Sequence, residues 1–117
     1  NKLLAFKDGM SITDTQAIDS VIRSDEHDDV VLLITDHLDW SVPQEHLLAL
    51  QQKLNTYISF VESGQLFSDF PDAKNKEISI LIACEFEPID AALSFFEKAD
   101  AFLNDNLNIR LRYAFES

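Results

Sequence analysis

Glycine, proline and cysteine are scarce in this chain of 117 residues, with two, three and one copies respectively. So few glycines and prolines argue against a disordered or loop-rich chain. The single cysteine, Cys84, excludes a disulfide within these residues and any all-cysteine metal site, and it fits a reducing compartment. The longest apolar stretches, residues 30–34 and 78–84, are far shorter than the roughly 18 residues of a membrane helix. We therefore expect a globular domain located in the cytoplasm.

Positive charge is also scarce, because 9 lysines and arginines stand against 21 aspartates and glutamates and leave a net charge of −12. Such an excess of negative charge repels phosphate backbones and anionic lipid surfaces. Binding to nucleic acid or to a membrane is therefore not expected, whereas a basic protein partner is electrostatically allowed. Hydrophobic residues make up 46% of the chain, which is the ordinary share for a globular protein.

The first part of the chain predicts a β-hairpin. Residues 16–23 alternate as a strand does, and residues 30–36 are rich in β-branched side chains. The acidic segment between them, residues 24–29, lacks glycine, but aspartate tolerates turn conformations. The second strand is apolar on both faces, which places it in the interior of a sheet. Residues 1–15 are interpreted as an N-terminal arm, and residues 16–117 as one domain.

A long amphipathic helix is predicted after the hairpin. Ser41 is its expected N-cap, with Pro43 in the first turn and Gln44 completing a capping box. Gly64 is placed to end the helix. The apolar stripe of this helix repeats at helical spacing and contains Leu47, Leu50, Leu54, Tyr57, Ile58 and Val61.

The remaining sequence predicts a loop over residues 65–76, a strand over 77–86, a helix over 88–104 and a strand over 109–115. Alternation along the two strands places Ile78 and Leu111 on their apolar sides. The element order is therefore ββαβαβ.

This order predicts an α/β fold, in the form of an α+β two-layer sandwich. Since strand–helix–strand units form right-handed crossovers, both helices should lie on one face of a four-stranded mixed sheet. We expect the helices to cover the face of Ile78 and Leu111. The opposite face, with Ser79, Arg110 and Arg112, should be left uncovered.

A set of short motifs resembles a known family. In chain order they are Ile18-Asp19, Asp36-His37-Leu38-Asp39-Trp40, His46-Leu47-Leu48, Leu50-Gln51, Lys53-Leu54-Asn55, Tyr57, Glu62-Ser63-Gly64 and Phe70-Pro71-Asp72-Ala73. Together they resemble a family of small bacterial proteins of unknown function, over about residues 10–115. The resemblance implies a compact bacterial α/β domain, and it implies no activity, cofactor or catalytic residue.

The densest polar segment lies where the second strand ends and the first helix begins. Ligands of α/β sheets favour the crevice at the carboxyl ends of strands, so a binding site is expected there. The candidate ligand-binding residues are Asp36, His37, Asp39, Trp40 and His46. One interpretation is a metal or acid–base site, in which imidazole nitrogens and a carboxylate bind zinc or a similar metal.

The alternative interpretation of this segment is structural. Asp36 or Asp39 would accept hydrogen bonds from N–H groups of the loop or the helix start, and Trp40 would pack onto the first helical turn. The histidines would lie at the surface or bind a carbonyl oxygen. Because the spacing matches no established metal motif, the structural interpretation is favoured.

Two further features are candidates for chemistry or binding. Cys84 lies on the apolar side of its strand, which favours a buried, unreactive thiol. Arg110, Arg112 and Glu85 form a candidate interaction face. The two arginines are placed to bind a carboxylate or phosphate, or to pair with Glu85 across the sheet, and the pairing is favoured.

The common catalytic motifs are missing from the sequence. It has no glycine-rich phosphate loop, no G-x-S-x-G sequence and no calcium-binding loop. We therefore expect a non-enzymatic binding or interaction module without a cofactor, acting as a homodimer or on a basic protein partner. The alternative is a small metal- or ligand-dependent enzyme with a site around residues 36–46.

Overall fold

The computed structural model describes residues 12–24 and 28–115, and within these ranges it shows four strands and three α-helices. The strands are β1 (Ser20–Ser24), β2 (Asp29–Asp36), β3 (Glu77–Cys84) and β4 (Arg110–Phe115). The helices are α1 (Pro43–Glu62), α2 (Gln65–Asp69) and α3 (Asp90–Leu107), and Pro71–Ala73 forms a 3₁₀ turn.

The sheet has the strand order β1-β2-β3-β4, with an antiparallel first pair and two parallel pairs. The predicted hairpin is confirmed, and Asp28 adopts the left-handed conformation in its turn, with φ 54°. Aspartate enters this region more readily than most residues. β1 begins only at Ser20, later than predicted, because Ala17 and Asp19 bind the ammonium group of Lys53.

The start of α1 differs from the prediction, and its end agrees with it. Ser41 is not the N-cap: the helix begins at Pro43, and Ser41 Oγ donates to the Asp39 carboxylate at 2.7 Å. Asp39 also accepts the Ser41 N–H at 3.1 Å, so these two residues close a small turn before the helix. Gly64 follows the helix at φ 85°, in the left-handed region where helices commonly end.

The predicted loop over residues 65–76 is wrong in part, because it contains α2 and the 3₁₀ turn. Burial explains the difference. Leu66 and Ala73 are fully buried, and Phe67 and Phe70 pack against the same core. Apolar side chains spaced this closely keep the backbone away from water. The shielded backbone groups therefore form hydrogen bonds with one another, as a helix does.

The end of α3 lies at Leu107, beyond the predicted end at residue 104. Asn108 takes the role of a capping glycine, since its φ is 56° and its N–H donates to the carbonyl of Asn104. Residues 105–107, which follow the predicted end, therefore form the last turn of the helix. β3 ends early, at Cys84, and Phe86 lies exposed beyond it.

Both long helices lie on one face of the sheet, as predicted. Leu54 of α1 and Leu103 of α3 line a common groove and belong to one buried core. The apolar core residues are Ile12, Val30, Leu32, Ile34, Leu50, Leu54, Tyr57, Leu66, Ala73, Ile80, Ile82, Ala92, Phe96, Leu103, Ile109 and Leu111. The two-layer α+β sandwich is therefore confirmed. Within the ranges described, no helix has the length and apolarity needed to cross a bilayer.

Most of the predicted N-terminal arm, residues 1–11, lies outside the described residues. The chain is first described at Ile12, which is fully buried in the core. Its N–H donates to the carbonyl of Thr35 at 2.9 Å, beside the end of β2. The segment before β1 is thus packed on the helix side of the sheet.

The other face of the sheet is the side on which no described helix packs. Its side chains alternate with the core residues along each strand, and the pairing register sets Val31 beside Ser79, and Leu33 beside Leu81. We call this surface the open face; its residues are Ile22, Val31, Leu33, Ser79, Leu81, Ala83, Arg110, Arg112 and Ala114. The described helices leave the arginine-bearing face uncovered, as the sequence predicts.

Candidate functional site

The polar segment after β2 folds around one buried pair, Asp36 and His46. Asp36 is the last residue of β2 and His46 lies near the start of α1. His46 Nε2 lies 2.8 and 2.6 Å from the two carboxylate oxygens of Asp36, and its Nδ1 lies 2.9 Å from the carbonyl oxygen of Asp39. Both side chains are buried, so the pair fixes the connection from β2 to α1.

This geometry determines how many protons the pair holds. The Asp39 carbonyl oxygen only accepts hydrogen bonds, so His46 Nδ1 carries a proton. A second proton lies between Nε2 and the Asp36 carboxyl group, because two bare acceptors would repel each other at 2.6 Å.

Burial raises the pKa of Asp36 above its ordinary value of 3.8, because the carboxylate is the form that loses most by leaving water. Hydrogen bonds from His46 and from the Leu38 N–H, at 3.2 Å, act in the opposite direction and are the smaller effect. The hydrogen bond with His46 therefore stabilises a carboxyl group that has lost its contact with water.

Trp40 covers this pair. Its ring stacks on the His46 ring, with 3.6 Å between centroids and an angle of 20° between planes. Trp40 therefore packs onto the beginning of α1, as the structural interpretation predicts. The Trp40 Nε1–H is buried and meets no acceptor in the part of the chain that the structure describes. The indole acts as an apolar cover that keeps water from the hydrogen bonds below it.

The other two candidate ligands point elsewhere. The Asp39 carboxylate binds the Oγ and N–H of Ser41, which lowers the pKa of Asp39, and His37 is exposed. Across residues 12–24 and 28–115, no three His, Cys, Asp or Glu side chains are grouped so that they hold a metal ion. Of the candidate ligand residues, Asp36, Asp39, Trp40 and His46 contact other groups of the protein, whereas His37 is exposed.

Cys84 lies beside this site, because its strand position pairs in register with Asp36. The side chain is half-buried, and this burial, with a smaller contribution from the Asp36 charge, raises the pKa of the thiol to about 12. A thiol that stays protonated at neutral pH is a poor nucleophile and a poor metal ligand. The prediction of an unreactive cysteine agrees with this environment.

A second buried polar cluster joins α1 to the segment before β1, and our sequence interpretation does not include it. Lys53 Nζ donates to the Asp19 carboxylate at 2.7 Å. It also donates to the carbonyl oxygens of Asp14 and Ala17, at 2.6 and 2.7 Å. Lys53 and Asp19 are almost completely buried. Each of the three ammonium protons has an acceptor, so the cluster holds two segments together.

Tyr57 extends this cluster to β2. Its Oη accepts the Asp19 N–H at 2.8 Å and donates to the carbonyl of Leu33, and burial raises the pKa of the phenol. The sequence does contain a signal for the cluster, since Lys53 interrupts the apolar stripe of α1 one turn before Tyr57. A lysine in that position needs a buried acceptor. The sequence does not identify the acceptor, because Asp19 lies 34 residues upstream.

Arg110 pairs with α3 and not with Glu85. Its Nε and Nη2 donate to the two carboxylate oxygens of Asp100 at 3.0 and 3.1 Å. The predicted pairing with Glu85 is wrong, because the register sets Arg112 opposite Leu81, well before Glu85 in the chain. Arg112 is exposed and makes no hydrogen bond with the residues described.

Comparison with known proteins identifies a family and no function. No curated protein and no solved structure matches the chain. A family model matches residues 10–117, and its description is a family of unknown function. The resemblance to an uncharacterised family is therefore confirmed over nearly the whole sequence. On this match, the chain belongs to the family of unknown function DUF6572.

Proposed function

We propose that this domain is a non-enzymatic protein-interaction module of the bacterial cytoplasm, and that it binds its partner through the open face. The observation that carries the proposal is the asymmetry of the sheet. One face is covered by every helix that the structure describes, and the other has an aliphatic centre that these helices leave uncovered. The single half-buried cysteine supports a reducing compartment.

Aliphatic side chains make up the centre of the open face. Val31 and Leu33 of β2 and Leu81 of β3 are half-buried, and none of the three is among the described residues that pack against the core. Ile22 of β1 is 46% exposed beside them. A solvated sheet face ordinarily carries polar side chains. A contiguous aliphatic centre with charged borders is instead typical of protein contact surfaces.

The two buried clusters support a binding role rather than a catalytic one. His46 binds Asp36 and a backbone carbonyl, and Lys53 binds Asp19 and two carbonyls, so these titratable groups are directed at protein atoms. General acid–base catalysis needs such a group within reach of a substrate. These groups stabilise the connections between elements, which does not favour an enzyme built around residues 36–46.

The outer edge of β4 is protected, which favours contact through the face of the sheet. The Leu111 N–H donates to Asp100 at 2.8 Å, and Arg110 holds the same carboxylate. These hydrogen bonds keep the pKa of Asp100 below its ordinary value, so the carboxylate is charged at neutral pH. A backbone N–H that already has an acceptor is not free to pair with a partner strand.

The variant Leu81→Glu tests the proposal, with Leu48→Glu as its matched control. Leu81 lies at the centre of the open face, and a glutamate there faces Arg112 on the neighbouring strand, so the isolated fold tolerates it. Leu48 is 52% exposed on α1, which covers the opposite face of the sheet. Circular dichroism checks that both variants are folded.

We expect a partner that the wild type and Leu48→Glu bind to be lost with Leu81→Glu, because a charge would be buried in the contact. The measurement is titration of each purified chain against that partner. Equal affinity of all three chains would contradict the proposal.

A further inference from the structure

We infer that the open face binds a second copy of this chain, packed face to face about a twofold axis. The inference rests on the proposed function, because it names the partner of the same surface. It is carried by the arrangement of charges around the aliphatic centre, and it specifies which residues meet in the dimer.

Charges of both signs border the open face. Arg110 and Arg112 lie along β4, while Asp29 and Glu77 begin β2 and β3 on the same face. These four residues are among those that line a concave site of about 170 Å³. In a twofold interface, a residue meets a different residue of the partner, so a surface that carries both signs is complementary to itself.

The net charge favours this face over the acidic surfaces for self-association. Each copy carries −12, so two copies repel each other wherever acidic surfaces approach. Among the nine basic residues, Lys53 is buried in its ion pair and Arg110 binds Asp100, whereas Arg112 is exposed on the open face and makes no hydrogen bond with the residues described. A contact that sets Arg112 against a carboxylate of the partner replaces repulsion with attraction.

The positions of the charges determine how the two sheets cross. Around the aliphatic centre, Arg112 lies on β4 beside Leu81, and the acidic residues lie toward the amino ends of β2 and β3, about a quarter turn away. A twofold axis that superposes these two borders makes the strands of the two copies cross near a right angle. Orthogonal packing is one of the two usual arrangements of stacked sheets. Arg112 then meets the partner's Glu77, and Leu33 and Leu81 pack near the axis.

The size of the face predicts a modest affinity. Four strands of five, eight, eight and six residues, about 4.8 Å apart and with a rise of about 3.3 Å per residue, form a surface of roughly 430 Å². A standard stable interface buries about 800 Å² on each partner. We therefore expect a reversible dimer that forms at micromolar concentrations.

Sedimentation velocity of the full chain tests the dimer directly. Measured from about 5 to 500 µM, a range that brackets a micromolar Kd, the wild type should shift from monomer to dimer. The buffer contains about 0.15 M NaCl, which screens the long-range repulsion between the acidic copies. Leu81→Glu should remain monomeric over this range, and Leu48→Glu should behave as the wild type.

A charge exchange tests which residues meet. Arg112→Glu sets two carboxylates against each other in the homodimer, and Glu77→Arg sets two guanidinium groups against each other, so each variant alone should dimerise at least tenfold more weakly. An equimolar mixture restores both opposite-charge contacts, because each variant keeps the residue that the other requires. The mixture should therefore form heterodimers with affinity close to that of the wild-type dimer.

Each outcome separates this inference from the proposed function. A wild type that stays monomeric overturns the second-copy partner, while loss of another protein's binding in Leu81→Glu would still support the open face as a contact surface. A dimer that Leu81→Glu leaves intact overturns both statements for this face. A dimer sensitive to Leu81→Glu but not rescued by the charge exchange overturns the orthogonal arrangement.

Discussion

At the scale of single residues, the proton shared by Asp36 and His46 makes each side chain depend on the other. In Asp36→Asn, the amide donates to His46 Nε2 and its oxygen still accepts the Leu38 N–H, so we expect a loss of at most about 1 kcal/mol in the free energy of unfolding. In Asp36→Leu, the buried ring nitrogen has no partner, and we expect a loss of about 2–4 kcal/mol. Urea denaturation near neutral pH measures both values. Equal losses in the two variants would show that the hydrogen bond does not matter.

The same residue predicts a pH dependence. The folded pKa of Asp36 is raised above the unfolded value of 3.8, so the stabilisation linked to its protonated form is complete below that value. It is lost as the pH rises through the folded pKa. The wild type should therefore become less stable relative to Asp36→Asn as the pH increases from about 3.8, the ordinary value of an aspartate. Urea denaturation of both chains across this range measures the difference. A gain in the relative stability of the wild type with rising pH would reverse the sign and contradict it.

At the scale of elements, Lys53 connects α1 with the segment before β1. Replacing it in Lys53→Met leaves the buried Asp19 carboxylate without its counter-ion, and we expect a loss of about 3–5 kcal/mol in unfolding free energy. Adding Asp19→Asn removes the unpaired charge and should recover at least about 1 kcal/mol of that loss. Chemical denaturation of the two single variants and the double variant measures this coupling. Additive losses would mean that the ion pair is energetically unimportant.

The end of α1 gives a second prediction at this scale. Gly64 has φ 85°, and a Cβ atom placed on it meets nothing within 4 Å. Gly64→Ala therefore causes no clash, and its cost is the left-handed backbone conformation alone, about 1 kcal/mol. Thermal or urea unfolding of this variant, compared with the exposed neighbour Ser63→Ala as control, measures it. If Gly64→Ala leaves the free energy of unfolding unchanged, the backbone at residue 64 must leave the left-handed conformation without cost.

The elements that the sequence predicts best are those determined by local patterns. The body of α1 and its end at Gly64 follow from helical spacing and from one glycine. The elements predicted less well depend on partners far away in the chain. β1 starts late because Asp19 binds Lys53, which lies 34 residues along the chain. Sequence separation hides such contacts, although the residue types involved are visible.

In the candidate site too, the sequence predicts which residues lie there better than it predicts their contacts. The sequence marks the segment after β2 as a candidate site. The structure brings together three of its residues, Asp36, Trp40 and His46. Their structural role follows from burial and from a backbone carbonyl, which a sequence pattern does not reveal. For Arg110, the partner Asp100 is set by the packing of α3 on the edge of the sheet. The alternation of β4 predicts its face and not this contact.

At the scale of the whole molecule, helices on one side and an aliphatic centre on the other give the domain two unlike surfaces. The element order predicts this division, because consecutive right-handed crossovers place α1 and α3 on the same face. The sequence does not predict the quarter-turn arrangement of the charges, since that depends on the register of β2, β3 and β4. The register therefore determines which charged residues can meet in the proposed dimer.

Carbene footprinting of the wild type at low and high protein concentration tests the open face most directly. If two copies pack through this surface, labelling of Ile22, Leu33 and Leu81 should fall as concentration rises, because their side chains become inaccessible. Labelling of Leu48 and Phe102, which are exposed on α1 and α3, should not change. Protection of the helix residues, with unchanged labelling of the sheet residues, would contradict the account.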